Sequence, residues 1–236
     1  DWAYWAYLVV GGGKQTSASG FRSFSGSGGV NTASGCLSTV VNGSSNIALA
    51  YYSLVSGGRQ NTASGCLSTV VNGSLNSASG FRSFIGAGSN NCASGAYSFL
   101  GHGGGMTASG TRSFIGSGAV NIASGDFSTV LNGFCNSASG IYSFVGSGCK
   151  NIASGLNSGV VTGNCNIAST SGSSILGGTL NNTSTFDRVM IVGSNITADR
   201  ACATFVNNLS IKNIPTALTD LPSGSVWNNG GVLNIV

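Results

Sequence analysis

Glutamate is absent from this chain of 236 residues, and charged side chains make up only 6% of it. The acids are Asp1, Asp126, Asp187, Asp199 and Asp220, and the single histidine is His102. A glycosidase needs two carboxylates roughly 5–10 Å apart. The aspartates nearest each other in sequence, Asp187 and Asp199, fall where the regular pattern of the chain is ending. A serine triad needs a histidine base, and His102 stands among glycines with no acid near it in sequence. The glycine runs lack a Walker lysine. The chain is therefore expected to be no enzyme and to carry no cofactor. Net charge is +4, but Lys14, Arg59, Lys150 and Lys212 are scattered, which leaves no basic patch for nucleic acid. No apolar run reaches the eighteen or more residues of a membrane-spanning helix, so no membrane insertion is expected.

What is abundant is glycine, 39 residues against two prolines. From Gly13 to Gly193 every fifteenth residue is glycine, so residues 1–195 divide into thirteen equal units. The unit reads Asn-x-Ala-Ser-Gly-x-x-Ser-x-Val-x-x-Gly-x-x, as in Asn61 to Leu75. Alanine holds the third position from Ala3 to Ala168 and yields to Thr183; the tenth position is Val, Ile, Leu or Met190, with Ser25 the polar exception. These two columns are expected to face inward. A period of fifteen is too short for a helical hairpin and carries no heptad, whereas two short alternating segments, each ending on glycine, make one coil of a β-solenoid. The expected fold is all-β: thirteen 15-residue coils, with two strands of three or four residues per coil. Trp2, Tyr4, Trp5 and Tyr7 break the pattern in residues 1–15, which read as a cap or junction. Residues 196–236 are not repetitive and read as a small β cap, with a strand near Ala203 to Lys212 and a hairpin over Ser225 to Val236.

Phase within the repeat also disposes of the seven cysteines. Cys36 and Cys66 share a position two coils apart, as do Cys135 and Cys165, and about 9.6 Å of stacking is too far for a disulfide. There is no C-x-x-C and only one histidine, so free thiols and no metal site are expected. Free thiols fit assembly in a reducing cytoplasm.

The outward positions point to a partner. Phe24, Leu54, Phe84, Phe99, Phe114 and Phe144 occupy the ninth position, so that strand is apolar on both sides. Such a stripe is too large to leave in water, and cyclic association of identical chains covers it most simply. A homo-oligomer is expected, with these six residues at its interface. The seventh position carries Arg22, Arg82, Arg112, Tyr52, Tyr97 and Tyr142. Two readings stand: a strip that stacks on sugars or a surface receptor, or long side chains that cover the oligomer seam.

The paired halves, Asn-x-Ala-Ser-Gly then Ser-x-Val-x-x-Gly, resemble the head repeats of trimeric autotransporter adhesins. That resemblance covers residues 1–195 and implies a left-handed parallel β-roll assembled as a homotrimer, although the family unit is usually fourteen residues. The segment Leu221 to Ile235, with Pro222, Trp227, Gly230 and Gly231, resembles closing segments of phage tail-fibre and other virion structural proteins. Together they imply a virion fibre protein: three chains on the particle surface, joined to other virion proteins through the N-terminal end, adhering to a host receptor or glycan, or decorating the particle. It would be assembled in the host cytoplasm and be extracellular once released. Two alternatives remain. Asn31 to Gly35 and Asn61 to Gly65 are similar to repeats of grass ice-recrystallisation inhibitors, which makes an ice-binding solenoid the second reading, against an outward threonine column interrupted by Ile47, Cys92 and Ile122. A fragment of a bacterial surface adhesin is the third.

Overall fold

The computed structural model describes residues 7–210, 215, 222–223, 225–229 and 232–235. The aromatic cap expected at Trp2, Tyr4 and Trp5 lies outside the described residues. The chain forms two compact units, divided between Phe205 and Val206.

The first unit is an all-β parallel solenoid. Each coil from the second to the twelfth contributes a strand at its second and third positions and another that starts at its ninth, for example Thr32–Ala33 and Thr39–Val40. Successive coils pair in parallel one repeat apart: Thr32 lies opposite Ile47 and Thr39 opposite Leu54. The outcome is two sheets, one of 11 strands carrying the alanines and one of 14 carrying the valines. Bridges at the fourteenth position, such as Gly29 to Ser44 and Ser44 to Arg59, add a third line of contact.

Most strands hold two residues rather than the three or four expected. Two residues per coil, in most coils neither of them glycine, take left-handed conformations and turn the chain early: the seventh position (Leu37, φ 58°) and the fifteenth (Ser45, φ 56°). The strands Phe84–Ser89, Phe99–Gly104 and Phe114–Ala119 are longer, six residues each.

The alanine and valine columns are buried, from Ala33 and Val40 to Ala168 and Ile175. A third inward column is polar. Asn31, Asn46, Asn61, Asn76 and their successors are fully buried at the first position. Asn61 shows the arrangement: its Nδ2 donates to the Gly57 carbonyl at 3.0 Å and the Gly73 carbonyl at 2.9 Å, and its Oδ1 accepts the Asn76 N–H at 3.1 Å. The side chain thus uses both ends of its amide to tie one coil to the next, so its burial costs little. A fourth column is serine at the eighth position, where Ser38, Ser68, Ser83 and others are buried with their hydroxyls unpartnered.

Glycine at the thirteenth position is demanded twice over. Gly73 has φ +102°, and a Cβ there would collide with the carbonyl oxygen of Gly88 in the next coil. The stacking that spaces the coils leaves no room for a side chain.

The last coil corrects one expectation. Ser174 pairs with Met190 and Ile175 with Ile191, sixteen residues apart, before Gly177 returns to Val192 at fifteen. This local shift turns Met190 outward, 42% exposed, and puts Ile191 in the inward slot expected for Met190. The unbroken glycine spacing conceals the shift, because the extra residue is recovered before Gly193. Past residue 195 the stack runs on: Ala198 is buried, and Thr204–Val206 joins the edge of the valine sheet.

In the second unit, Val226–Asn229 pairs antiparallel with Val232–Ile235, Val226 opposite Ile235. This is the hairpin expected at the C-terminus.

Candidate functional site

Inward positions alternate with outward ones, so each sheet displays a column on its exposed side. On the valine sheet that column is the ninth position, and Phe24, Leu54, Phe84, Phe99, Phe114 and Phe144 all lie on it, half-buried or exposed. Three consecutive rings stack: Phe84 on Phe99 at 5.0 Å and 8°, and Phe99 on Phe114 at 5.1 Å and 5°.

The eleventh position belongs to the same face. All five phenylalanines have glycine two residues on, and at four of them a Cβ on the glycine, Gly26, Gly86, Gly116 or Gly146, would come within 3.2–3.6 Å of the ring of Phe24, Phe84, Phe114 or Phe144. Each of these four rings therefore lies over its own glycine. Where the ninth residue is small, at Thr39, Thr69, Thr129, Gly159 and Ser174, the eleventh is Val41, Val71, Leu131, Val161 and Leu176, which are 40–47% exposed. Each coil from the second to the twelfth places one bulky apolar group on this face; the shifted last coil places two, Met190 and Val192, each 42% exposed. The signal is legible in the sequence as a reciprocal choice between positions nine and eleven, but it shows only once both are known to face outward.

The seventh-position side chains lie at the corner between the two sheets. Their left-handed backbones, φ 52° at Arg22 and Tyr52 to 59° at Tyr97, turn them away from the core. Five form a run. Arg82 lies 5.2 Å over Phe81 and 5.8 Å over Tyr97; Arg112 lies 5.6 Å over Tyr97 and 5.3 Å over Phe127; Phe127 stacks on Tyr142 at 4.9 Å. Arg22 belongs to a separate patch, over Phe21 at 5.1 Å and Tyr7 at 6.0 Å. Tyr52 meets Tyr51 edge to face at 4.5 Å. The Tyr51 phenol is pushed above its ordinary 10.0, first by desolvation and then by Tyr52.

On the alanine sheet the outward second position alternates among Thr32, Ile47, Thr62, Ser77 and Cys92, a mixed surface with no continuous threonine rank. All seven cysteines are free thiols. Among the described residues, no cluster of three or more His, Cys, Asp or Glu side chains could hold a metal ion, and no helix is long and apolar enough to cross a membrane. A pocket of about 280 Å³ lies beside Gly172, Arg188, Met190 and Cys202, where the coil register shifts. No protein-family model matches this chain, and no curated protein matches it either.

Proposed function

We propose that the chain is a non-enzymatic structural fibre protein of a virion, in which three copies associate through the outward face of the valine sheet. The observation that carries the reading is the levelled apolar surface of that face, with Phe at nine over Gly at eleven, or Val or Leu at eleven beside a small ninth residue. A surface exposed only to water has no reason to keep its apolar height constant from coil to coil, whereas a surface packed against a copy of itself does. Eleven coils at ~4.8 Å make a strip about 50 Å long, on the order of the ~800 Å² per partner that stable association uses.

The resemblance to adhesin head repeats supports a left-handed roll and a trimer. The resemblance of Leu221 to Ile235 to closing segments of virion proteins supports a viral particle as the place of use. The fibre adheres to the host or decorates the particle, and its N-terminal end meets other virion proteins.

Native mass from light scattering coupled to size exclusion tests this. Three chains of 23.4 kDa are expected to elute as one species of about 70 kDa. A clean monomer would overturn the trimer and leave the ice-binding solenoid as the next reading, open to an ice-recrystallisation assay.

A further inference from the structure

At the corner between the sheets the seventh position carries an exposed side chain in each of five successive coils: Arg82, Tyr97, Arg112, Phe127 and Tyr142. We propose that this edge binds an extended acidic polysaccharide that bears a carboxylate or sulfate on alternate sugars.

Spacing comes first. The coils pair in phase, so neighbouring side chains in the run are one strand spacing apart, ~4.8 Å. An extended chain of pyranose rings advances by a similar length, which allows one sugar per coil. Arg82 and Arg112 then stand two sugars apart, with Tyr97 between them.

The chemistry of each position fits that alternation. Tyr97, Phe127 and Tyr142 offer aromatic faces to the apolar C–H faces of sugars. Rings at 5.2–5.8 Å cover the faces of both guanidinium groups. Their N–H donors lie in the plane of the group and remain free at its edge, where the fork matches a carboxylate or sulfate. Stacking also holds these long side chains in place before a ligand arrives, which lowers the ordering cost of binding.

Among the described residues neither arginine is in an ion pair; the pair there is Arg200 with Asp199, at 3.5 Å. Asp126, at the sixth position beside Phe127, accepts the Thr111 N–H at 2.8 Å and adds one negative charge at the side of the run. The proposal goes beyond the fibre reading and does not depend on it, since a single chain already carries the whole run.

The test is calorimetric titration of the full chain with a hyaluronan oligosaccharide long enough to span the five coils, against a neutral chitin oligosaccharide of matched length. The acidic chain is expected to bind at least about tenfold more tightly, with an affinity that falls as salt rises. Arg82→Gln with Arg112→Gln is expected to lower that affinity about tenfold or more. Lysine at both positions should restore part of it, because the charge returns without the fork. Tyr97→Ala should weaken binding of both oligosaccharides. Arg59→Gln, at the fourteenth position, should change nothing, and circular dichroism should show the coils intact in every variant. No binding, equal affinity for the neutral chain, indifference to the double glutamine variant, or stronger binding of oligothymidylate would each overturn the proposal.

Discussion

Met106 and Gly103 depart from the repeat together. At the thirteenth position, glycines followed three residues later by asparagine hold φ between 87° and 113°. Gly103, followed by the buried Met106, opens to 151°, and Gly193, followed by Ile196, to 158°. Gly13 stays at 100° before Thr16, whose Oγ1 donates to the Gly12 carbonyl at 3.0 Å. That is the bond an asparagine Nδ2 makes in the other coils, as from Asn31 to the Ser27 carbonyl at 2.9 Å. The side-chain bond to the carbonyl four residues back thus accompanies the tighter glycine bend, and the bend relaxes where methionine or isoleucine cannot make it.

Restoring the amide at that coil is expected to stabilise the protein. Met106→Asn would offer an acceptor to the Asn121 N–H and donors to neighbouring carbonyls, a gain of about 1–2 kcal/mol. For a chain of this size that is a rise of roughly 3–6 °C in melting temperature. Calorimetry would measure it, and an unchanged or lower Tm would count against the ladder as a source of stability.

Gly73→Ala should do the opposite. It places a side chain at φ +102° and against the Gly88 carbonyl oxygen, a combined cost of about 3 kcal/mol or more. Hydrogen exchange should show protection lost first in the coils on either side of residue 73, as expected of a stack held by nearest-neighbour contacts.

Val30→Asn is expected to raise stability by about 1 kcal/mol. Val30 is a β-branched residue at φ 56° and half exposed, in a region that asparagine tolerates and valine does not. Its N–H bond to the Lys14 carbonyl at 2.7 Å would be kept. A denaturant midpoint that did not move upward would show that the corner carries no such strain.

Phe99→Lys bears on association alone. The ring stacks between Phe84 and Phe114 on an outward face and is 37% exposed, so the coil should fold with lysine there. Light scattering is expected to show loss of the assembled species and a thermal transition that no longer depends on protein concentration. An unaltered mass would place the interface elsewhere.

The alanine and valine columns were legible in the sequence because each inward slot admits a narrow range of volumes and repeats at a fixed interval. The asparagine column was visible as a consensus but not as a core, since a polar residue reads as exposed until its amide is seen to be fully bonded by the coils above and below. The left-handed corners were hidden by their occupants. Arg82, Tyr97 and Val30 are poor markers of positive φ, and the stacked backbone imposes that conformation on whatever residue stands there. The slip that exchanges Met190 for Ile191 left no trace in the glycine spacing. Of the candidate surfaces, the phenylalanine column could be read directly, while its counterpart at position eleven required knowledge of which neighbours share a face.

Ile196 closes the asparagine spine in an asymmetric way. Its N–H donates to Asn181 Oδ1 at 3.1 Å, so it accepts the tether from the coil before it, yet its own hydrocarbon side chain offers no tether to anything after it. Met106 interrupts the same column in the middle of the rod, and the strands on either side of it pair without a break. Past Ile196 the valine sheet likewise gains one more strand, Thr204–Val206. The amide spine and the strand ladders are thus separate fastenings of one stack, and a coil can lose the first while the second carries it.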